Sequence, residues 1–350
     1  NFLKIKTKDA KIVPLILNEP QMKLYNLIKK LKEEGKPVRI IIEKARQMGF
    51  STCTEAILFK ITATNFNTKT GIITHLASAT SNLFEMNKIM YNNLPEEMKP
   101  ELSKSNANEL IFNNKDGLGL NSIIKCMTAG TSGVGRSDTF NNLHISEFAF
   151  WPGDKKTTLD GLLQAVPNTP DSIVIIESTA NGFDYFKTLW DMAVNGENDF
   201  IPLFVGWNEL KEYRKPYSGF ELTHEEKELQ ITYDLDLDQL EWRRWCIKNN
   251  CGGSIDTFKQ EYPINPLEAF IGTGASVFNK EKIIQRIAEI EKKENHILKQ
   301  GRFIYKMKNE RPCDIKWVND KKGPIKIYQM PDSPNVTKYC IGGDTSRRWL

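Results

Sequence analysis

The chain has 350 residues, 40% of them hydrophobic and 26% charged, with 48 Lys and Arg against 44 Asp and Glu for a formal charge of +4. This balance excludes a disordered, collagen-like or coiled-coil chain and leaves room for two domains; it permits a nucleic-acid partner without arguing for one. Six cysteines without a C-x-x-C pair point to reduced thiols in a cytosol-like compartment, and the four histidines show no metal-ligand spacing.

The first long apolar run, Val38–Glu43 (VRIIIE), predicts a buried strand, with a helix over Ser51–Asn65 after it. Lys69–Leu76 predicts a second strand and Ala79–Asn92 a second helix. Glu109–Asn113 and Ser122–Thr128 suit two shorter paired strands, and Leu143–Ser146 another strand before a helix around Thr158–Val166. Ser172–Ser178 (SIVIIES), a helix near Tyr185–Val194 and a strand at Phe200–Val205 complete the series. The apolar runs are strand-length, far too short to span a membrane. Continuous apolar strands alternating with helices predict a parallel sheet covered on both faces.

Beyond this the texture changes. Thr223–Lys248 is charged, Trp-rich and helically spaced, opening on a Thr223/Glu226 capping box, and Gly-Gly interrupts Asn250–Ser254. Ile283–Gln300 predicts a charged helix. Arg302–Tyr305, Ile315–Val318 and Pro324–Tyr328 predict antiparallel strands, and Lys338–Asp344 a last apolar strand.

The segment richest in chemistry is Glu43–Thr52 (EKARQMGFST), where a strand meets a helix. Exposed N–H groups at a helix start cradle anionic oxygens, so a phosphate-binding loop belongs there. Against the usual G-x-x-x-x-G-K-[ST], Gly49 and Ser51 stand in place, while Lys44 replaces the first glycine and Phe50 the lysine. Lys44 and Arg46 offer cations from the front of the loop instead. Arg46 is favoured for the phosphates because its fork can bridge two oxygens. Ser51 and Thr52 open the helix with two hydroxyls, one for Mg²⁺ and one for a phosphate. By the generic pattern alone, a basic helix-capping turn is the alternative.

The pattern K-x-R-Q-x-G-x-S-T resembles the variant phosphate loop of large terminase subunits, the DNA-packaging motors of tailed bacteriophages. The resemblance implies ATP binding by Lys44, Ala45, Arg46, Gln47, Met48, Gly49, Phe50, Ser51 and Thr52, with Mg²⁺ on Ser51. Leu143–Phe150 (LHISEFAF) resembles the family's Walker B segment. Glu147 matches its catalytic glutamate, which would orient and deprotonate water. Ser146 stands where the pattern has Asp and can reach the metal only through a water. Gly130–Ser137 (GTSGVGRS) is either a plain turn or, by the resemblance, the loop carrying an arginine finger, Arg136. Glu177–Gly182 (ESTANG) resembles the coupling motif, which assigns Ser178, Thr179, Ala180 and Asn181 to sensing hydrolysis. Leu17–Tyr25 resembles the adenine-recognition element, with Gln21 as the contact. Glu261–Phe278 resembles the passage from ATPase to nuclease, and Tyr339–Ser346 (YCIGGDTS) the first nuclease strand, with Asp344 the first divalent-metal ligand of an incomplete site.

The expected fold is therefore α/β: a P-loop NTPase with a mostly parallel sheet flanked by helices over 1–210. A helical linker subdomain would follow over 211–280, and a hairpin region with the first strands of an RNase H-like domain over 281–350. The resemblance implies Mg²⁺ with ATP, and Mg²⁺ or Mn²⁺ for the nuclease of a longer protein. It implies double-stranded DNA, a portal protein, a small terminase subunit and copies of itself in a pentameric ring as partners, and no membrane. The setting would be the host cytoplasm during infection, transiently on the procapsid. Two other readings stand beside it: another P-loop nucleic-acid motor such as a helicase, and a DNA-binding assembly protein with a decayed nucleotide site.

Overall fold

The computed structural model describes residues 2–113, 116, 119–130, 138–271, 299–308 and 311–327. They fall into two units, Asn1–Ala275 and Ser276–Leu350.

The first unit opens with a small antiparallel pair, β1 (Lys4–Lys6) and β2 (Ile12–Pro14), too short to announce itself in the sequence. Helix α1 (Glu19–Glu33) follows, started by a capping box in which Asn18 Oδ1 accepts the Gln21 N–H and Gln21 Oε1 accepts the Asn18 N–H. Then come β3 (Val38–Lys44), α2 (Phe50–Thr64), β4 (Lys69–Thr74) and α3 (Ala77–Asn92). A sheet extension is built from β5 (Leu102–Ser105), β6 (Glu109–Phe112) and β7 (Ser122–Thr128). The chain continues through β8 (Asn142–Ser146), α4 (Lys155–Gln164), β9 (Ile173–Ser178), α5 (Tyr185–Val194) and β10 (Ile201–Val205). Helices α6 (His224–Tyr233), α7 (Leu237–Asn250), α8 (Ile255–Glu261) and α9 (Pro266–Ile271) complete its described part.

Among the described residues the large sheet has eight strands in the order β10-β3-β9-β8-β4-β7-β6-β5. Strands β10, β3, β9, β8, β4 and β7 run parallel, and β6 and β5 extend the edge antiparallel. Alternation along β3 sends Val38, Ile40 and Ile42 to one core and Ile41 to the other; β9 divides Ile173 and Ile175 from Val174 and Ile176 in the same way. With both faces covered, every residue of β3 and β9 is buried, which is why these strands read as unbroken apolar runs. Parallel strands also bring their C-terminal ends, Lys44, Ser146 and Ser178, to one edge, where α/β sheets place ligands.

Residues 211–271 pack into the same core as β3, α1 and α2. Tyr213 stacks on Trp242 at 4.1 Å between ring centroids, and Trp242 on Trp207 at 5.3 Å, with Phe258 and Tyr262 around them. The single helical stretch expected over Thr223–Lys248 is two helices. Asp234 enters the left-handed region (φ 52°) after α6, and Asp236 starts α7 through its own capping box with Gln239. In the second unit β12 (Arg311–Asn319), β11 (Lys299–Lys308) and β13 (Ile325–Ile327) form an antiparallel sheet. Lys299 and Gln300 belong to β11 and not to the end of a helix, a correction to the expected Ile283–Gln300. The rest of that helix, the Lys338–Asp344 strand with Asp344, and Arg136 lie outside the described residues. Among the described residues no helix is long and apolar enough to cross a membrane.

Candidate functional site

The turn from β3 into α2 borders a cleft of about 520 Å³ whose lining includes Lys44, Gly49, Ser51, His75, Glu147 and Thr179. Its backbone is anchored from several sides. The Ala45 N–H donates to Val205 O (3.0 Å), the Arg46 N–H to Glu261 O (2.9 Å), and the Tyr213 hydroxyl to Arg46 O (2.6 Å). Gly49 has φ 78°, and a Cβ there would lie 2.5 Å from Gln21 Nε2, so both conformation and space require glycine. Gln47 is also left-handed, at φ 57°. No side chain caps the start of α2, which leaves its first-turn N–H groups for an anion at the cleft.

Gln21 does not border this cleft. Its Nε2 donates to Gly49 O (2.7 Å) while Oε1 serves the α1 cap, so the carboxamide clamps α1 to the loop from behind. Ala45 and Met48 are buried, and the Phe50 ring, in the usual lysine slot, is fully buried in the core with Ile40 and Ile42. Thr52 borders the cleft, as does Lys8 from the β1–β2 turn, whose Nζ donates to Gln47 Oε1 (2.7 Å).

The two loop cations are placed differently. Arg46 is 54% exposed and ion-paired with Glu261. Lys44, 7% exposed, lies with Nζ 3.4 Å from Glu147 Oε1 and 3.2 Å from Glu177 Oε2. Burial opposes its charge, but Glu177 and Glu147 outweigh burial and push its pKa up to about 12. Glu147, just past the end of β8, is itself left-handed (φ 50°, ψ 48°), an uncommon conformation for a residue with a side chain and one that recurs at functional sites.

Glu177, on β9, is the site residue that the sequence reading missed. It is wholly buried, and Oε1 accepts hydrogen bonds from the hydroxyls of Ser51 and Ser146, the latter at 3.2 Å. His144 Nε2 approaches the same oxygen at 3.0 Å, while His144 Nδ1 contacts Glu55 Oε1. Burial disfavours the imidazolium, yet the two carboxylates hold its proton and raise its pKa to about 9. Burial likewise disfavours the Glu177 carboxylate, but Lys44 and His144 keep it ionised, well below the usual carboxylate range. Asn87 Nδ2 donates to Glu55 Oε2, extending the polar chain beneath the loop.

The expected coupling residues grip the segment after Glu147. The Ala149 N–H donates to Ser178 Oγ (3.1 Å), and Asn181 Nδ2 donates to Ala149 O (3.2 Å). Thr179 borders the cleft with its N–H 3.5 Å from Glu147 Oε2, and the buried Ala180 accepts from Gln260 Nε2 at 3.5 Å. Among the described residues no group of three or more His, Cys, Asp or Glu is disposed to hold a metal by itself.

No protein-family model matches the chain. Among solved structures it is similar to the large terminase of bacteriophage HK97, at 17% identity and a TM-score of 0.51, over 72% of this chain and 50% of that one. It is also similar to the ATPase domain of the Thermus phage P74-26 large terminase, at 16% identity and a TM-score of 0.44, over 71% of this chain and 98% of that one. For the large terminase of another thermophilic bacteriophage the identity is 13% and the TM-score 0.43, over 62% of this chain and 50% of that one. The chain thus spans about half the length of the HK97 protein and of this last terminase. At such identities the likeness is one of fold: the α/β architecture with a mostly parallel sheet flanked by helices is that of the HK97 large terminase.

Proposed function

We propose that the chain binds ATP with Mg²⁺ over the β3–α2 loop and hydrolyses it, as the ATPase part of a motor that drives double-stranded DNA into a procapsid. The observation that carries this reading is the placement of Lys44 beside Glu147 at the start of an uncapped helix. A cation, a row of free N–H groups and a carboxylate that can accept a proton converge there on one cleft. The residues fit Mg²⁺ as the partner of a triphosphate. The Ser51 hydroxyl sits in the first turn of α2, and the buried Glu177 Oε2 has no hydrogen-bond donor. Mg²⁺ usually keeps waters and phosphate oxygens as ligands, so one hydroxyl is enough from the protein. When bound, the ion supplies charge neutralisation on the phosphate oxygens.

The chain's own groups divide the work. The α2 N–H groups and Lys44 bind the phosphates, and Lys44 exchanges carboxylate for phosphate oxygens as it does so. Glu147, released from Lys44, orients water and takes its proton. Ser178 and Asn181, holding Ala149, pass a change at Glu147 to the loop before α5. Arg136 is proposed to act on a neighbouring subunit's nucleotide. The portal protein, the small terminase subunit and a ring of copies are the proposed partners, and Asp344 the first ligand of a nuclease metal site. The fold shared with the HK97 large terminase supports this reading over a decayed assembly protein.

Glu147→Gln tests it: ATP binding is retained and turnover falls by at least ~10²-fold, the scale of general-base removal. A chain that binds no ATP belongs to the assembly-protein reading instead.

A further inference from the structure

We propose that Glu177 provides the carboxylate that Ser146 lacks, fixing the Ser51 hydroxyl for the Mg²⁺ that accompanies the nucleotide. The inference rests on the reading of the cleft as a nucleotide site. Ser146 and Glu177 are direct partners in the β8–β9 ladder. Neighbouring strands lie about 4.8 Å apart, so an acid moved from one to the other stays at the same sheet edge. The serine at 146 leaves room for the longer glutamate and donates to it at 3.2 Å.

One oxygen of Glu177 collects the Ser51 hydroxyl proton. With its proton committed inward, the Ser51 oxygen keeps its lone pairs for a cation in the cleft. The other oxygen, Oε2, is buried without a hydrogen-bond donor and faces Lys44 at 3.2 Å. Once Lys44 turns to phosphate, that oxygen is open to a water of the Mg²⁺ shell. Glu177 is thus a positioning residue acting through Ser51, and His144 holds it from behind.

The test is binding of a fluorescent ATP analogue to the full chain carrying Glu147→Gln, titrated with Mg²⁺ and again in EDTA. We expect Mg²⁺ to tighten binding in this parent. Adding Glu177→Gln should cut that tightening by about 10–100-fold, the cost of losing a partner that orients a metal ligand, and leave affinity in EDTA unchanged. Ser51→Ala should cause the same loss, and Glu177→Gln on top of it should cost nothing more. Ser146→Asp added to Glu177→Gln should restore the Mg²⁺ response. A full Mg²⁺ response in Glu177→Gln overturns the inference, and so does an equal loss with and without Mg²⁺, which marks a purely structural residue. A parent that binds the analogue but ignores Mg²⁺ overturns the inference alone; one that binds nothing overturns the nucleotide reading with it. Should Glu177→Gln fail to fold, Ser51→Ala leaves the buried charges whole, and an unaltered Mg²⁺ response there decides against us.

Discussion

Lys44→Met removes the cation that bridges Glu147 and Glu177 while keeping most of the side chain's volume. Its Nζ lies 3.4 and 3.2 Å from the two carboxylates. At an effective dielectric of ~20 each contact is worth ~5 kcal/mol of gross attraction, set against several kcal/mol of desolvation. Breaking a buried pair of this kind costs about 3–5 kcal/mol, and the low end applies because His144 still faces Glu177. For the nucleotide, a lost charge-assisted contact of about 1.5–3 kcal/mol weakens binding roughly 10- to 150-fold. Arg46→Ala is the contrast. Its partner Glu261 and its 54% exposure make the pair solvent-screened, worth about 1 kcal/mol or less, and its removal should leave ATP affinity nearly unchanged. Urea unfolding at neutral pH and titration with a fluorescent ATP analogue measure both quantities. A folded Lys44→Met chain with undiminished ATP affinity, beside an Arg46→Ala chain that has lost it, would refute the assignment and return the phosphate contact to the arginine.

Two further outcomes concern the buried charges around the sheet edge. Glu43 is fully buried with neither carboxyl oxygen hydrogen-bonded, and burial, outweighing Lys187, keeps it protonated well above its ordinary value of 4.5. The unfolded chain ionises this group first, so stability falls as pH rises above about 4.5. Glu43→Met should remove that slope in urea melts and gain about 1–3 kcal/mol at neutral pH, and a less stable variant would contradict the account. The His144 pKa, about 9 in the fold against 6.5 ordinarily, works through a different window. A raised folded value means stabilisation fully present below about 6.5 and lost as pH climbs through 9. His144→Asn should flatten this segment of the stability–pH curve, and a wild type already flat there would show the imidazole to be neutral.

The parallel core was legible because burial on both faces writes itself into composition. Every residue of β3 and β9 is buried, and both read as apolar runs bounded by polar turns. The two central helices α3 and α5 were equally plain, α5 to the residue. What escaped had no such signature. Strands β1, β2 and β5 are three or four residues long, half-exposed, and defined by their partners more than by their own pattern. The break between α6 and α7 was written in Asp-Leu-Asp, two turn- and cap-forming acids around one apolar residue. The helical spacing on either side of it hid the interruption.

At the site, local motifs located the loop, Glu147 and the segment Ser178–Asn181, but not which charges meet. Distance along the chain says nothing of pairing across a ladder, and Glu177 lies 31 residues from Ser146 in sequence yet directly beside it in the sheet. Lys44 and Arg46 are both basic and two positions apart. They are told apart only by where the strand ends: Lys44 is the last residue of β3, committed to the sheet edge, and Arg46 lies in the loop, free to turn toward Glu261. Gln21 shows the same limit from the other side. Its amide suits a base edge, but Gln three residues after Asn18 also completes a capping box, and the cap claims it. A short motif fixes which atoms are present at a strand end, whereas the chemistry depends on which neighbours leave those atoms unsatisfied. Glu177 Oε2 is such an atom, visible only once the strands are placed side by side.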